Sequence, residues 1–218
     1  IKFYLPCRFS KNTALKLFLF FMAKRILDII ASSIGLAITA LLFLVISILI
    51  KRESAGPVFY RGTRIGKNGK SFRIFKFRTM VDNAEKLGGP STAGDDPRLL
   101  KIGKFLKQYQ LDEVPQLINV LRGEMSLVGP RPEVKMYIDM MAEEERKTIL
   151  SAKPGMTDLA SLWNFHESEI LKGSPDPEKT YMEKIRPEKI RLQLEYVKTR
   201  SFMLDLKIII KTIIKLFY

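Results

Sequence analysis

Cysteine and histidine are nearly missing from this chain. Cys7 is the only cysteine among 218 residues, and His166 is the only histidine. A single cysteine excludes an internal disulfide and any cluster of cysteine metal ligands. A single histidine leaves Ser-His-Asp, Cys-His and histidine-rich zinc chemistry hanging on one side chain. The sequence shows no evident partner for His166, so a structural or surface role is expected of it. If the chain is an enzyme, carboxylates and cations must do the work.

Charge is also missing from one long stretch. From Ile29 to Ile50, 22 residues run without a charged side chain. A membrane helix needs roughly 20 apolar residues, and buried soluble helices seldom run so long without a charge. Basic pairs flank the stretch, Lys24-Arg25 before and Lys51-Arg52 after. Positive residues prefer the cytoplasmic side, so a spanning helix would place one pair badly. A segment that enters and returns to the same face would satisfy both. Asp28, one turn beyond Lys24 and Arg25, is expected to pair with them locally. The apolar patch from Leu15 to Phe21 is a poor fit to a signal peptide, because the apolar segment continues past any plausible cleavage site.

Acids are in deficit overall. Lys and Arg total 37 against 23 Asp and Glu, a formal net charge of +14. Such an excess suits an anionic partner: nucleic acid, an acidic membrane surface or a phosphorylated substrate. The length suits one compact domain with an appendage. Four segments are read: an extension over 1–21, a membrane helix over 22–52, a main domain over 53–200 and a tail over 201–218. In the tail, Lys207, Lys211 and Lys215 recur every four residues among isoleucines, the pattern of an interfacial helix. A soluble packing helix is the alternative.

The motifs lie between these ends. Val58 to Arg61 and Ser71 to Met80 read as short strands around Lys67-Asn68-Gly69-Lys70, whose Asn-Gly step signals a hairpin. Alternation puts Phe72, Ile74, Lys76 and Arg78 on one face, so the two cations form either a phosphate clamp or a solvated strand end. Leu99 to Leu106 has helical spacing and leads to Leu111-Asp112-Glu113-Val114-Pro115-Gln116-Leu117. Pro115 marks a helix start with two acids at its mouth, where the helix dipole would keep a carboxylate ionised. They are either caps or working carboxylates. Arg131, between Pro130 and Pro132, is a preset fork for phosphate or a solvent-facing turn residue. Glu133 to Ser151 reads as one surface helix with a solvated face at Glu143-Glu144-Glu145. A further helix, interrupted at Pro187, follows Gly173.

Taken in order, six motifs carry a resemblance. They are Lys24-Arg25-x-x-Asp28, Gly56-Pro57-Val58-Phe59, Lys76-Phe77-Arg78-Thr79-Met80, Asp96-Pro97-Arg98, the Asp112-Glu113 stretch, and Met125-Ser126-Leu127-Val128-Gly129-Pro130-Arg131-Pro132. From about Lys24 to Leu206 the chain resembles the bacterial sugar transferases, the monotopic phosphoglycosyl transferase superfamily, in its small single-domain type. The resemblance implies an α+β fold: a mostly helical membrane-associated catalytic domain with a small β-hairpin, a re-entrant N-terminal helix and amphipathic interfacial helices. It implies transfer of a sugar-1-phosphate from a UDP-sugar to a polyprenyl phosphate, at the cytoplasmic face of the cell membrane, as a first step of glycoconjugate assembly. Asp112 would be the covalent nucleophile, releasing UMP. Glu113, with Asp112, would hold Mg2+. Arg131, Lys76, Arg78 and Lys107 would bind phosphates. Membrane lipids are expected partners, nucleic acid is not, and homodimerisation stays open. The chain departs from the family where Ala40-Leu41 stand in place of a helix-breaking Ser-Pro, where Lys107 replaces arginine, and where Ser161 replaces glutamine. Sugar identity therefore does not carry over. The other functional classes are a membrane-tethered nucleic-acid binder and a membrane scaffold, but no nucleic-acid motif appears.

Overall fold

A computed structural model describes residues 11–84, 87, 93–165 and 167–217. His166 and residues 1–10 lie outside them. The described chain is mostly helical with three small two-stranded sheets.

Helix α1 (Lys11–Glu53) runs 43 residues without interruption, roughly 64 Å at 1.5 Å per residue. It passes unbroken through Ala40 and Leu41, two strong helix formers that stand where the family has a helix-breaking Ser-Pro. Its apolar side chains face all round, and Ser32, Thr39 and Ser47 turn their hydroxyls back onto carbonyls of the preceding turn. This is the one helix, among the described residues, long and apolar enough to cross a membrane. Both ends of its uncharged stretch nevertheless pack on the same domain. At one end Gly35 lies against Leu117; at the other, Ile46 and Ile50 are buried with Phe77 and Leu106. Between them Ile38 and Leu41 are 76% and 72% exposed.

The local pairing of Asp28 is corrected by the structure. Its carboxylate accepts from Ser126 Oγ at 3.1 Å and from the Leu127 N–H at 2.9 Å. Lys24 goes instead to Asp205, Tyr196 and the Val128 carbonyl. Arg25 forks onto the carbonyls of Val120 and Leu121. A lone carboxylate buried beside two backbone segments gains more from fixed donors there than from flexible neighbours on its own helix.

Strands β1 (Phe59–Tyr60), β2 (Thr63–Ile65), β3 (Ser71–Arg73) and β4 (Lys76–Phe77) form two antiparallel pairs, β2 with β3 and β1 with β4. Asn68 and Gly69 both take positive φ, 57° and 76°, which closes the hairpin as the Asn-Gly step requires. The second strand is not continuous. At Phe75 the backbone N–H leaves the ladder and donates to Asn119 Oδ1. The buried side then changes from Phe72 and Ile74 to Phe75 and Phe77.

Helices α2 (Lys101–Gln108) and α3 (Gln116–Arg122) follow. Glu53, at the end of α1, accepts from the N–H groups of Lys101 and Ile102 and so caps α2. Strand β5 (Ser126–Val128) pairs in parallel with β6 (Gly155–Thr157). The single helix expected over Glu133–Ser151 is two, α4 (Lys135–Asp139) and α5 (Glu143–Leu150), because the chain turns to bury Met141. Next come α6 (Leu159–Trp163), α7 (Glu167–Ile170) and α8 (Pro177–Thr180). A π-helical turn, Tyr181–Ile185, leads into α9 (Arg186–Thr199). The helical stretch that follows Gly173 is divided at Pro187 as expected: the π-helical turn ends at Ile185, and Pro187 sits in the first turn of α9, where its missing N–H needs no partner.

Helix α10 (Phe202–Phe217) docks by one face. Ile208 is buried with Val128 and Tyr196, and Thr212 pairs with Thr157 at 2.7 Å. Its other face leaves Met203, Ile210 and Ile214 in the open, Met203 at 73%.

Candidate active site

The site is built from three short elements that meet. Between α2 and α3 the chain makes a tight 3-10 turn, Leu111–Glu113, carrying both acids. Gln110 enters that turn in the left-handed region, φ 53°, a strained conformation for a residue with a Cβ. Its side chain is held by a 2.7 Å hydrogen bond to the Phe165 carbonyl. Pro115 then opens α3 as its N-cap. Strand β4 delivers Lys76, and the loop after β5 delivers Arg131 between its two prolines.

Glu113 is bound on both oxygens. Lys76 Nζ donates to Oε1 at 2.7 Å, Arg131 Nη1 donates to Oε2 at 3.0 Å, and Arg131 Nη2 donates to Oε1. A two-pronged guanidinium contact fixes the plane of both groups. Burial alone would push the Glu113 carboxyl up, but Arg131 and Lys76 hold it well below the usual range. Glu113 in turn keeps Arg131 charged.

Asp112 is different. It is 7% exposed, and its carboxylate takes part in no hydrogen bond with the described residues. Burial is the largest influence and pushes its pKa up, to about 6. Lys76 pulls it down, Glu113 pushes it further up, and Lys107 and Arg131 pull it down. Loss of water thus outweighs the dipole of so short a helix in setting this pKa, and above about pH 6 the carboxylate is still ionised. Lys107 is also set by burial, which lowers its pKa, with Asp112 the strongest opposing influence.

Asp112, Glu113, Lys76, Lys107 and Arg131 thus come together. Arg78 does not join them. Its guanidinium donates to the carbonyls of Ser54 at 2.8 Å and Ala55 at 2.5 Å, closing the corner after α1. Strand β4 ends at Phe77, so Lys76 lies within it and Arg78 beyond its end, where the chain turns back to the corner after α1. Among the described residues there is no group of three His, Cys, Asp or Glu side chains placed for a metal. Two adjacent carboxylates with oxygens to spare on Asp112 still fit Mg2+, which takes one or two protein carboxylates and completes its shell with phosphate and water.

Sequence reasoning missed a supporting ring. Lys189, from α9, lies 3.3 Å from Glu133 and 3.5 Å from Glu167 and donates to Tyr181 Oη. Glu167 and Glu133 both favour the charged form of Arg131. Glu133 could have been suspected two residues after Arg131, whereas nothing local marks Lys189. Gln116 was also missed: it is buried, with both side-chain amide atoms unpaired.

A buried carboxylate without hydrogen bonds, ringed by three cations, can receive a phosphoryl group from an anionic donor. The class this suggests agrees with the comparisons. A family model described as bacterial sugar transferase matches residues 19–218, and the chain belongs to that family. It is 37% identical over 198 residues to the UDP-glucose:undecaprenyl-phosphate glucose-1-phosphate transferase of Caulobacter vibrioides, a match covering 88% of this chain and 68% of that protein. It is 34% identical over 207 residues to the exopolysaccharide production protein ExoY of Rhizobium meliloti, covering 88% and 84%. A third relative is the UDP-N-acetylgalactosamine-undecaprenyl-phosphate N-acetylgalactosaminephosphotransferase of Aeromonas hydrophila. There the identity is 35% over 193 residues, and the chain spans 42% of that protein's length.

Proposed function

We propose that this sugar transferase moves a sugar-1-phosphate from a UDP-sugar to a polyprenyl phosphate through a covalent intermediate on Asp112. The reaction class follows the relatives, whose names specify UDP-sugar donors and undecaprenyl phosphate. The covalent route is supported by one observation: Asp112 is the carboxylate of the pair left without hydrogen bonds, while Glu113 occupies Arg131 and Lys76. An Asp112 oxygen attacks the sugar-linked phosphorus, and the bond from that phosphorus to the bridging oxygen breaks as UMP leaves with the electron pair. A phosphate oxygen of the polyprenyl acceptor then attacks the same phosphorus and returns Asp112 as a free carboxylate. Lys76, Lys107 and Arg131 neutralise the oxygens of the group in transit. Mg2+, held by Asp112 and Glu113 with the diphosphate, would supply further charge neutralisation.

The placement of the membrane is part of the same reading. Both ends of the uncharged stretch of α1 are fastened to one charged domain, which supports a helix held with that domain at one membrane face, although its unbroken course gives no turn at Ala40-Leu41. Helix α10, with its open apolar face and lysines, would lie at that boundary.

The test is UMP release without acceptor. Wild type should give a burst near the enzyme concentration with its proper UDP-sugar, and Asp112→Asn should give none. A normal burst from Asp112→Asn would remove Asp112 as the nucleophile.

A further inference from the structure

Two arginines meet over the ring of Phe75, and a third stands beside them. The Arg61 guanidinium lies 3.5 Å from the centroid of Phe75, and Arg122 lies 5.0 Å from it. Arg73 joins them by donating its Nε to the Arg61 carbonyl at 3.0 Å. None of the three has a carboxylate within 4.0 Å among the described residues. Glu124 is the acid nearest in effect, but its carboxylate accepts from Asn119 Nδ2 at 2.7 Å. Arg61 Nε is buried and has no hydrogen-bond partner.

Such an arrangement is unfavourable as it stands. Like charges repel, and a buried guanidinium nitrogen without an acceptor loses its water for nothing. Cation–π attraction to Phe75 offsets a part of this. Burial, and next Arg73 and Arg122, hold the Arg61 pKa below the ordinary arginine value. An anion with several acceptor oxygens would satisfy all three side chains together, and phosphate has the geometry that guanidinium forks match.

The position in the fold says where the phosphate comes from. Arg122 follows Val120 and Leu121, whose carbonyls hold Arg25 of α1. The uncharged stretch of α1 begins one turn beyond Arg25. The arginines therefore stand at the level where α1 becomes apolar, and more cations converge there. A Cβ placed on Gly123 would lie 3.5 Å from Arg25 Nη2 and 3.6 Å from Lys153 Nζ. We propose that Arg61, Arg73 and Arg122 form a second phosphate site, separate from the Asp112 cluster, which takes the headgroup of an anionic membrane phospholipid.

Native mass spectrometry of the full chain in detergent tests this without any turnover. The probes are phosphatidylglycerol, phosphatidylcholine and inorganic phosphate. Wild type should retain phosphatidylglycerol in preference to phosphatidylcholine, and Arg61→Gln/Arg122→Gln should weaken that retention about tenfold or more. Equal retention of the two lipids, or full retention of phosphatidylglycerol by the double variant, overturns the proposal. A phosphate adduct that the same variant abolishes, with no preference between lipids, overturns the membrane source. Should the double variant fail to fold, Arg73→Gln decides: Arg73 is exposed and bonds only a carbonyl. Its loss should weaken phosphatidylglycerol retention about threefold, and unchanged retention counts against the site. Because no sugar transfer is measured, failure here leaves the role of Asp112 untouched.

Discussion

Lys24, on the long N-terminal helix, donates its ammonium to the buried carboxylate of Asp205 on the last helix, α10. Tyr196 donates to the other oxygen of Asp205 at 2.7 Å, and Lys24 also reaches the Val128 carbonyl. One ion pair therefore ties both apolar helices to β5, the strand that leads to Arg131. Removing a single partner leaves the other buried and uncompensated, a loss of about 3–5 kcal/mol. Lys24→Met should lower the melting temperature in detergent sharply. Lys24→Met/Asp205→Leu should recover part of the loss. A double variant as unstable as the sum of the two singles would show that the pair is not coupled.

In the proposed route, the protonation of Asp112 sets the pH dependence. Burial raises its folded pKa to about 6, and only the carboxylate can attack phosphorus. The rate of the UMP burst should thus fall as one proton binds below about pH 6. Lys76 is the largest of the influences lowering that pKa, so Lys76→Met should move the acid limb to higher pH as well as slow the burst. Stability responds oppositely for the two acids. The raised pKa of Asp112 makes its ionisation oppose folding as pH rises through the folded value. The depressed pKa of Glu113 contributes stability above its unfolded pKa, lost as pH falls toward the folded one. Burst rates and melting temperatures measured across the acid range check both.

Much of the candidate cluster was legible because its signals are local. Asp112 and Glu113 precede a proline, and Arg131 stands between two more, so backbone chemistry alone marks them. Lys76 and Arg78 share a strand pattern, yet only Lys76 reaches Glu113. What separates them is the end of β4 at Phe77, past which Arg78 turns to carbonyls 23 and 24 positions back, contacts that no alternation encodes. Asp28 fails in the same way, its true partners lying 98 and 99 positions on. The hairpin was legible from Asn68-Gly69, whereas the division of Glu133–Ser151 into two helices depends on burying Met141, a tertiary demand.

Arg131 carries a prediction about geometry rather than charge. Its two prongs meet both oxygens of Glu113, and a lysine would keep the charge while losing the fork. Arg131→Lys should fold normally and slow the UMP burst about 10²-fold, the order expected when a preset donor is lost. Lys76→Arg, tested alongside, should be milder, because Lys76 makes a single contact to Glu113. Equal rates for wild type and Arg131→Lys would show that the fork is not used.

The loop holding Arg131 rests on a contact that leaves no room for a side chain. Gly129 N–H donates to the Thr157 carbonyl, and Gly155 N–H donates to the Pro130 carbonyl, each at 3.0 Å. A Cβ on Gly155 would stand 2.1 Å from the Gly129 nitrogen, backbone against backbone, where no rotamer can give way. Gly155→Ala must therefore push the loop after β5 away from β6. The expected cost is about 1–3 kcal/mol of stability, together with a weaker burst, because Arg131 moves with its loop. Gly69→Ala is the matched control: it sits at a positive φ, 76°, but nothing lies within 4 Å of the added methyl. It should lose stability to backbone strain while keeping its burst, and a burst lost equally in both variants would uncouple the glycine contact from the site.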